Sequence, residues 1–174
     1  ISRRGHAIEC RVYAEDPATG FLPSIGEIEA YVRPAGPGIR VDDGLESGAA
    51  VSPYYDPMLA KVITWGMDRG DAVRKMNRAL RETLLLGVTT NIDYLREILA
   101  VPEFVSGRTS TSFLAEHMAG WRPGGASEEE WIAAAVYETL GATTDHRPRA
   151  TAGRQDLFDP WEAARGWRNV SLEP

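Results

Sequence analysis

A single cysteine stands in the 174 residues, so the chain can build neither an internal disulfide nor a cysteine-rich zinc site, and a reducing compartment such as the cytoplasm is its expected setting. It has no basic excess. Its 19 Lys and Arg face 25 Asp and Glu, and a net charge of −6 argues against nucleic acid as the main partner, because phosphate binding draws on a basic surface. No apolar run approaches the roughly 20 residues a membrane-spanning helix needs. The chain also lacks a glycine-rich phosphate loop and any set of carboxylates and lysines suited to MgATP. It opens without an initiator methionine or a signal-peptide pattern, almost in mid-strand, as expected of a piece of a longer protein.

What is present is ordinary for a soluble globular protein: 43% hydrophobic and 25% charged residues, in a length that holds one domain with a good core or one domain plus part of another. The informative stretch is Gly5-His6-Ala7-Ile8-Glu9-Cys10-Arg11-Val12-Tyr13. At the two-residue period of a strand, Ile8, Cys10 and Val12 share one face and Glu9, Arg11 and Tyr13 the other. The first face is core, and Cys10 on it reads as a small buried hydrophobe rather than a nucleophile. The second places a guanidinium beside a carboxylate on a stiff element. That pair has two readings, a surface ion pair worth less than about 1 kcal/mol or a positioned functional group.

Glu27 to Arg33 alternates again, and Ile39-Arg40-Val41 reads as a third strand closed by an Asp42-Asp43-Gly44 turn; together with the first they predict an antiparallel sheet with one wet face. Met58 to Trp65 is nearly continuous apolar sequence and should be the most buried strand. Lys61 within it must reach the edge or meet a carboxylate, since an unpaired ammonium is costly in a core. From residue 70 the period becomes helical. Asp71 is the expected cap of a helix with Val73, Met76, Leu80 and Leu84 inward, ending at Gly87. Arg74, Arg78 and Arg81 form a stripe on another face, either solvated or a surface for an anion or a partner. A second helix spans Asn91 to Ala100 with Thr90 or Asn91 as cap and Pro102 as its stop, and a third, short one runs from about Ser110 to Met118. The fold class is therefore α+β, an antiparallel sheet followed by a small group of packed helices.

Residues 1–119 form the predicted domain. Residues 120–174 read as a linker, a helix from the Ser127-Glu128-Glu129-Glu130 capping box to Leu140, a mobile connector over 141–156, and the start of a following domain carrying Trp161 and Trp167.

Five blocks in order carry a resemblance: Gly5 to Arg11 with Ala14-Glu15-Asp16-Pro17, then Phe21-Leu22-Pro23-Ser24, Gly36-Pro37-Gly38-Ile39-Arg40, Tyr54-Tyr55-Asp56-Pro57-Met58-Leu59-Ala60-Lys61, and Gly87-Val88-Thr89-Thr90-Asn91. Over residues 1 to about 119 the chain resembles the C-terminal lobe of biotin carboxylase, the ATP-dependent component of acetyl-, propionyl- and methylcrotonyl-CoA carboxylases and of pyruvate carboxylase. Gly36-Pro37-Gly38, Asp56-Pro57-Met58 and the tail ending Gly166-Trp167-Arg168 look most like the α subunits of acyl-CoA carboxylases, enzymes of fatty acid metabolism.

The resemblance implies a ligase in which an ATP-grasp region of the same chain transfers a phosphoryl group from MgATP to bicarbonate, and biotin N1 is carboxylated. Its implied partners are that region, a biotin carrier domain, a carboxyltransferase subunit and a second copy of the lobe; neither nucleic acid nor a membrane is expected, and no metal ligand lies in this piece. Arg11 matches the arginine that contacts the biotin ureido oxygen and the bicarbonate or phosphate group, with Glu9 fixing its rotamer. Asp56 matches an aspartate near the active-site arginines, its plainer reading being a loop cap. Pro37 and Arg40 lie where the family forms its two-fold contact, and Thr111 and Ser112 match a segment near the adenine pocket. Lys61 is structural, because Met58-Leu59-Ala60-Lys61 lacks the Met-Lys-Met core of a biotinylation site. Without the ATP-grasp region the piece alone is expected to be inactive. The competing reading is a non-catalytic assembly module of a multidomain carboxylase, with Glu9 and Arg11 a mere surface pair.

Overall fold

The computed structural model describes residues 2–141. The chain divides into two units, residues 1–124 and 125–174. In chain order the elements are β1 (His6–Tyr13), β2 (Glu15–Asp16), β3 (Leu22–Pro23), β4 (Gly26–Glu27), β5 (Ala30–Val32), β6 (Ile39–Asp43), β7 (Ala50–Val51), β8 (Met58–Gly66), α1 (Arg69–Glu82), β9 (Leu84–Leu86), α2 (Ile92–Ala100), α3 (Pro102–Val105), α4 (Phe113–His117) and, in the second unit, α5 (Glu128–Gly141). This is the expected α+β class.

A three-stranded antiparallel sheet of order β1-β8-β6 forms the centre of the first unit. Its alternation is strict where the sequence is: Ile8, Cys10 and Val12 are buried while Glu9 and Arg11 are exposed. From β8, Leu59, Ala60, Val62 and Thr64 join the buried side. Val12 pairs with Ala60 but Tyr13 pairs with Met58, so Leu59 is an extra residue that bulges the strand at this end. Helix α1 closes the buried face with Ala72, Val73, Met76, Ala79 and Leu80. Burying each of the three larger side chains, Val73, Met76 and Leu80, contributes about 1.5–3 kcal/mol. Helix and sheet approach closely where Thr64 Oγ1 donates to the Ala72 carbonyl at 3.0 Å. At the strand's start, Gly5 has φ +74, and a Cβ there would lie 2.5 Å from the Gly66 carbonyl oxygen.

Several expectations are corrected. The segment 27–33 does not join the main sheet: it breaks at the fully buried Ile28 into β4, which pairs with β7, and β5, which pairs with β9. The helix cap is Asp68, whose carboxylate accepts the Asp71 N–H at 2.7 Å, and Asp71 instead accepts from Met67 N–H at 3.0 Å. Helix α1 stops at Glu82, because Thr83 turns extended and Leu84–Leu86 are taken up as β9 by β5; Leu84 is accordingly exposed. Gly87 ends that strand rather than the helix, with φ +103 and a Cβ position 2.0 Å from the Glu27 carbonyl oxygen. Pro102 does not merely stop α2 but opens α3 at its first turn. Asp42 and Asp43 belong to β6 and not to a turn.

Asp43 also explains why β6 extends. Its carboxylate is 1% exposed and accepts hydrogen bonds from the Tyr31 hydroxyl and from Arg33. Burial, and next the Asp43 contact, push the Tyr31 phenol up to about 12. Lys61 stands in strand register between Arg11 on β1 and Asp42 on β6, where its charge acts on the Asp42 carboxylate. Arg74 pairs with Asp71 and Arg78 with Glu82 on the exposed side of α1, the solvated arrangement of that stripe. The connector at 141–156, apart from its first residue, and the tail tryptophans lie outside the described residues.

Candidate functional site

The face of the sheet opposite α1 carries the polar residues of three strands. Register pairs side chains on one face. One row therefore runs Arg11, Lys61, Asp42, and the next runs Glu9, Ile63, Arg40. From the spacing of strands, Glu9 and Arg40 stand about 10 Å apart. Arg11 Nε donates to Glu9 Oε1 at 3.2 Å, with the two side chains 58% and 43% exposed. The Glu9 hydrogen bond, and next that of Tyr13, raise the Arg11 pKa above its already high ordinary value, so the guanidinium is permanently charged. Arg40 grips Asp42 through Nε at 2.8 Å and Nη2 at 3.0 Å, and this bond holds the Asp42 carboxyl below the usual range, with a smaller contribution from the Lys61 charge.

The backbone beneath Arg11 is fixed from both sides. Strand β8 lies on one edge of β1; on the other, where the described residues provide no strand, the Asn91 carboxamide takes its place. Tyr13 N–H donates to Asn91 Oδ1 at 2.9 Å, Asn91 Nδ2 donates to the Arg11 carbonyl at 3.2 Å, and Asn91 N–H donates to the Tyr13 carbonyl at 3.2 Å. The sequence points to Thr90 or Asn91 as the helix cap; Asn91 holds that position, yet its side chain makes no capping bond to α2. An asparagine ahead of a helix is the only local signal, and it cannot reveal partners 78 and 80 residues away.

The other expected site residues are placed differently. Asp56 is exposed and its Oδ1 accepts the Met58 N–H at 2.8 Å, the geometry of a loop cap at the entrance to β8. Burial first, and then the Asp56 charge, raise the pKa of Glu15. Pro37 is exposed in the loop before β6, with Arg40 on the strand itself. Thr111 and Ser112 precede α4; Ser112 Oγ lies 3.0 Å from Ser110 Oγ and donates to Glu116 in the first turn of that helix. Cys10 is buried, and desolvation with the nearby Glu9 charge pushes its thiol up to about 12, which makes it inert at neutral pH.

Lys61 also lines a cavity of about 380 Å³ with Asp42, Asp43, Gly44, Met58, Leu59 and Ala60. A second, more apolar one of about 320 Å³ lies between Leu22-Pro23-Ser24-Ile25 and the loop of Val51, Ser52, Pro53, Tyr55 and Pro57. Arg11 is a wall of neither and faces outward from the lobe. Among the described residues no three His, Cys, Asp or Glu side chains are grouped to hold a metal ion. No helix of the described residues is long and apolar enough to cross a membrane.

Fold and face together define an α+β lobe that presents a charged guanidinium, held by Glu9, on an open sheet face. Residues 9–116 match the biotin carboxylase C-terminal domain family, and the chain belongs to it. It is 46% identical over 113 residues to the biotin carboxylase of Nostoc sp., covering 65% of this chain and 25% of that protein. The human mitochondrial propionyl-CoA carboxylase alpha chain is 50% identical over 118 residues, covering 67% of this chain and 16% of the relative. Among solved structures, the biotin carboxylase domain dimer of Hydrogenobacter thermophilus 2-oxoglutarate carboxylase, in complex with MgADP, ADP and bicarbonate, superposes with a TM-score of 0.69 at 41% identity, covering 72% of this chain and 28% of that one. The chain thus spans a quarter or less of the length of these two curated relatives.

Proposed function

We propose that this chain is the C-terminal lobe of the biotin carboxylase component of an acyl-CoA carboxylase, and that Arg11 is its contribution to the reacting centre. The observation that supports this is the Arg11 guanidinium, held by Glu9 at 3.2 Å on a strand bonded along both edges and turned to an open face. A planar, permanently charged fork can donate two parallel N–H bonds to an oxyanion and stabilise charge as it develops on a ureido oxygen. Glu9 takes the Nε donor and thereby fixes the rotamer; the other donors lie on the terminal nitrogens. Bound MgATP and carrier-linked biotin would supply the phosphoryl group and the acceptor nitrogen, both held by chain or partners beyond these residues. The ATP-grasp region would close the cleft over the sheet face, Pro37 and Arg40 would meet a second copy of the lobe, and residues 120–174 would lead towards the biotin carrier and the carboxyltransferase. The single, inert cysteine fits the cytoplasm as its compartment.

The test is ATP-dependent carboxylation of free biotin by the complete carboxylase. Arg11→Ala is expected to lower turnover on the order of 100-fold with assembly intact. Arg11→Lys should recover little of it, since an ammonium lacks the fork. Near-wild-type turnover in Arg11→Ala would overturn this reading in favour of the assembly module.

A further inference from the structure

We infer that Asn91 is a positioning residue for biotin carboxylation, acting through the backbone of Arg11; the inference rests on the role proposed for Arg11. Asn91 is 7% exposed and, among the described residues, is one of two buried polar ones, the other being Thr64, whose hydroxyl bonds α1. A buried carboxamide is retained only where its donors and acceptor are matched. Here both ends of the carboxamide are spent on β1: the oxygen on Tyr13 N–H at 2.9 Å, the nitrogen on the Arg11 carbonyl at 3.2 Å. Its own N–H adds the Tyr13 carbonyl at 3.2 Å, so a single residue satisfies three backbone groups on the edge of β1 that has no neighbouring strand among the described residues.

The location gives those bonds their consequence. Between Val12 and Tyr13 the β1–β8 register slips around Leu59, so the ladder that holds Arg11 from one side is irregular one residue further on. A bulge re-aims the side chains beside it unless something else fixes the strand. Asn91 bonds the strand on either side of the slip, at residues 11 and 13, and so sets the direction in which the Arg11 side chain leaves the sheet. Because Asn91 begins α2, which packs Leu99 into the core, the same residue ties the orientation of Arg11 to the helical layer on the far side of the sheet. The side chain of Asn91 touches no reacting atom; it controls where the guanidinium points.

The experiment is a double-mutant cycle in the complete carboxylase, read as kcat for carboxylation of free biotin, with Arg11→Ala, Asn91→Ala and the double variant. Leu99→Ala, which destabilises the same helix from within the core while leaving all three Asn91 bonds to β1 in place, serves as the stability control. A displacement of the reacting group by about 1 Å can lower rate up to 100-fold, and Asn91→Ala is expected to lose between tenfold and that amount. The double variant should be no slower than Arg11→Ala alone, and Leu99→Ala should keep the wild-type kcat per folded molecule. Where Asn91→Ala does not fold, Asn91→Asp keeps the acceptor for Tyr13 N–H and loses the donor to the Arg11 carbonyl, and the same loss and the same non-additivity are expected of it. Wild-type kcat in the Asn91 variants, a loss that multiplies in full with that of Arg11→Ala, or an equal loss in Leu99→Ala overturns the inference. An Arg11→Ala enzyme of normal kcat overturns the function proposed for Arg11 first, and is distinguished by that variant alone.

Discussion

Strand β1 serves two environments with alternate residues. On the α1 side, Ile8, Cys10 and Val12 are packed into one cluster with Val62, Met76 and Leu80. On the other side, Glu9 and Arg11 stand in water beside Lys61, with Arg40 and Asp42 across the sheet. The two faces alternate residue by residue along one backbone, yet they differ in what a substitution can change. Losses on the packed face scale with volume and cavity, whereas exposed ion pairs are worth little to stability. A charged group kept on the open face therefore has its meaning in what it meets, and the packed face is what holds it still.

The largest effect that would break this contrast lies in the core. Met76→Ala should destabilise the lobe by about 2–5 kcal/mol, read as a shift in urea midpoint. A smaller effect is expected at the edge of the packed face, where Asp43→Ala leaves the half-buried Tyr31 hydroxyl without its acceptor and costs about 1–3 kcal/mol by thermal or urea unfolding. Glu9→Gln, on the open face, should change stability by less than about 1 kcal/mol, so that any loss of turnover larger than this reports on the Arg11 rotamer.

The packed and open faces of β1, the buried β8 and the presence of α1 and α2 were legible because each is a clean period of two or of 3.6 over a sufficient length. The segment 27–33 also alternates, but which strand it would pair with depends on β7 and β9, far away in sequence, and Ile28 breaks it where it enters the core. Helix α1 reads on to Gly87 because leucines at 84, 85 and 86 satisfy a helical pattern as well as a strand. The ion pair of Glu9 and Arg11 was visible as spacing. The role of Asn91 was not, since a side chain that completes the edge of a distant strand leaves no periodic trace.

Two further measurements sharpen the contrast with smaller effects. The Met67 N–H, followed by Lys75 and Arg74, holds the Asp71 carboxyl below its ordinary 3.8. A lowered folded value means that its stabilisation is complete above 3.8 and disappears as pH falls through the folded value. Asp71→Asn should thus be less stable than wild type at neutral pH, with the gap in urea midpoint closing on acidification. Cys10, buried with its thiol pushed up to about 12, should resist alkylation in the native protein and react at the rate of global unfolding.

The most direct measurement compares the two faces in one enzyme: turnover in biotin carboxylation and unfolding midpoint for Arg11→Ala and Met76→Ala in the complete carboxylase. The account predicts that Arg11→Ala keeps its midpoint and loses turnover, while Met76→Ala loses its midpoint and keeps turnover per folded molecule. An Arg11→Ala enzyme that turns over normally would contradict it.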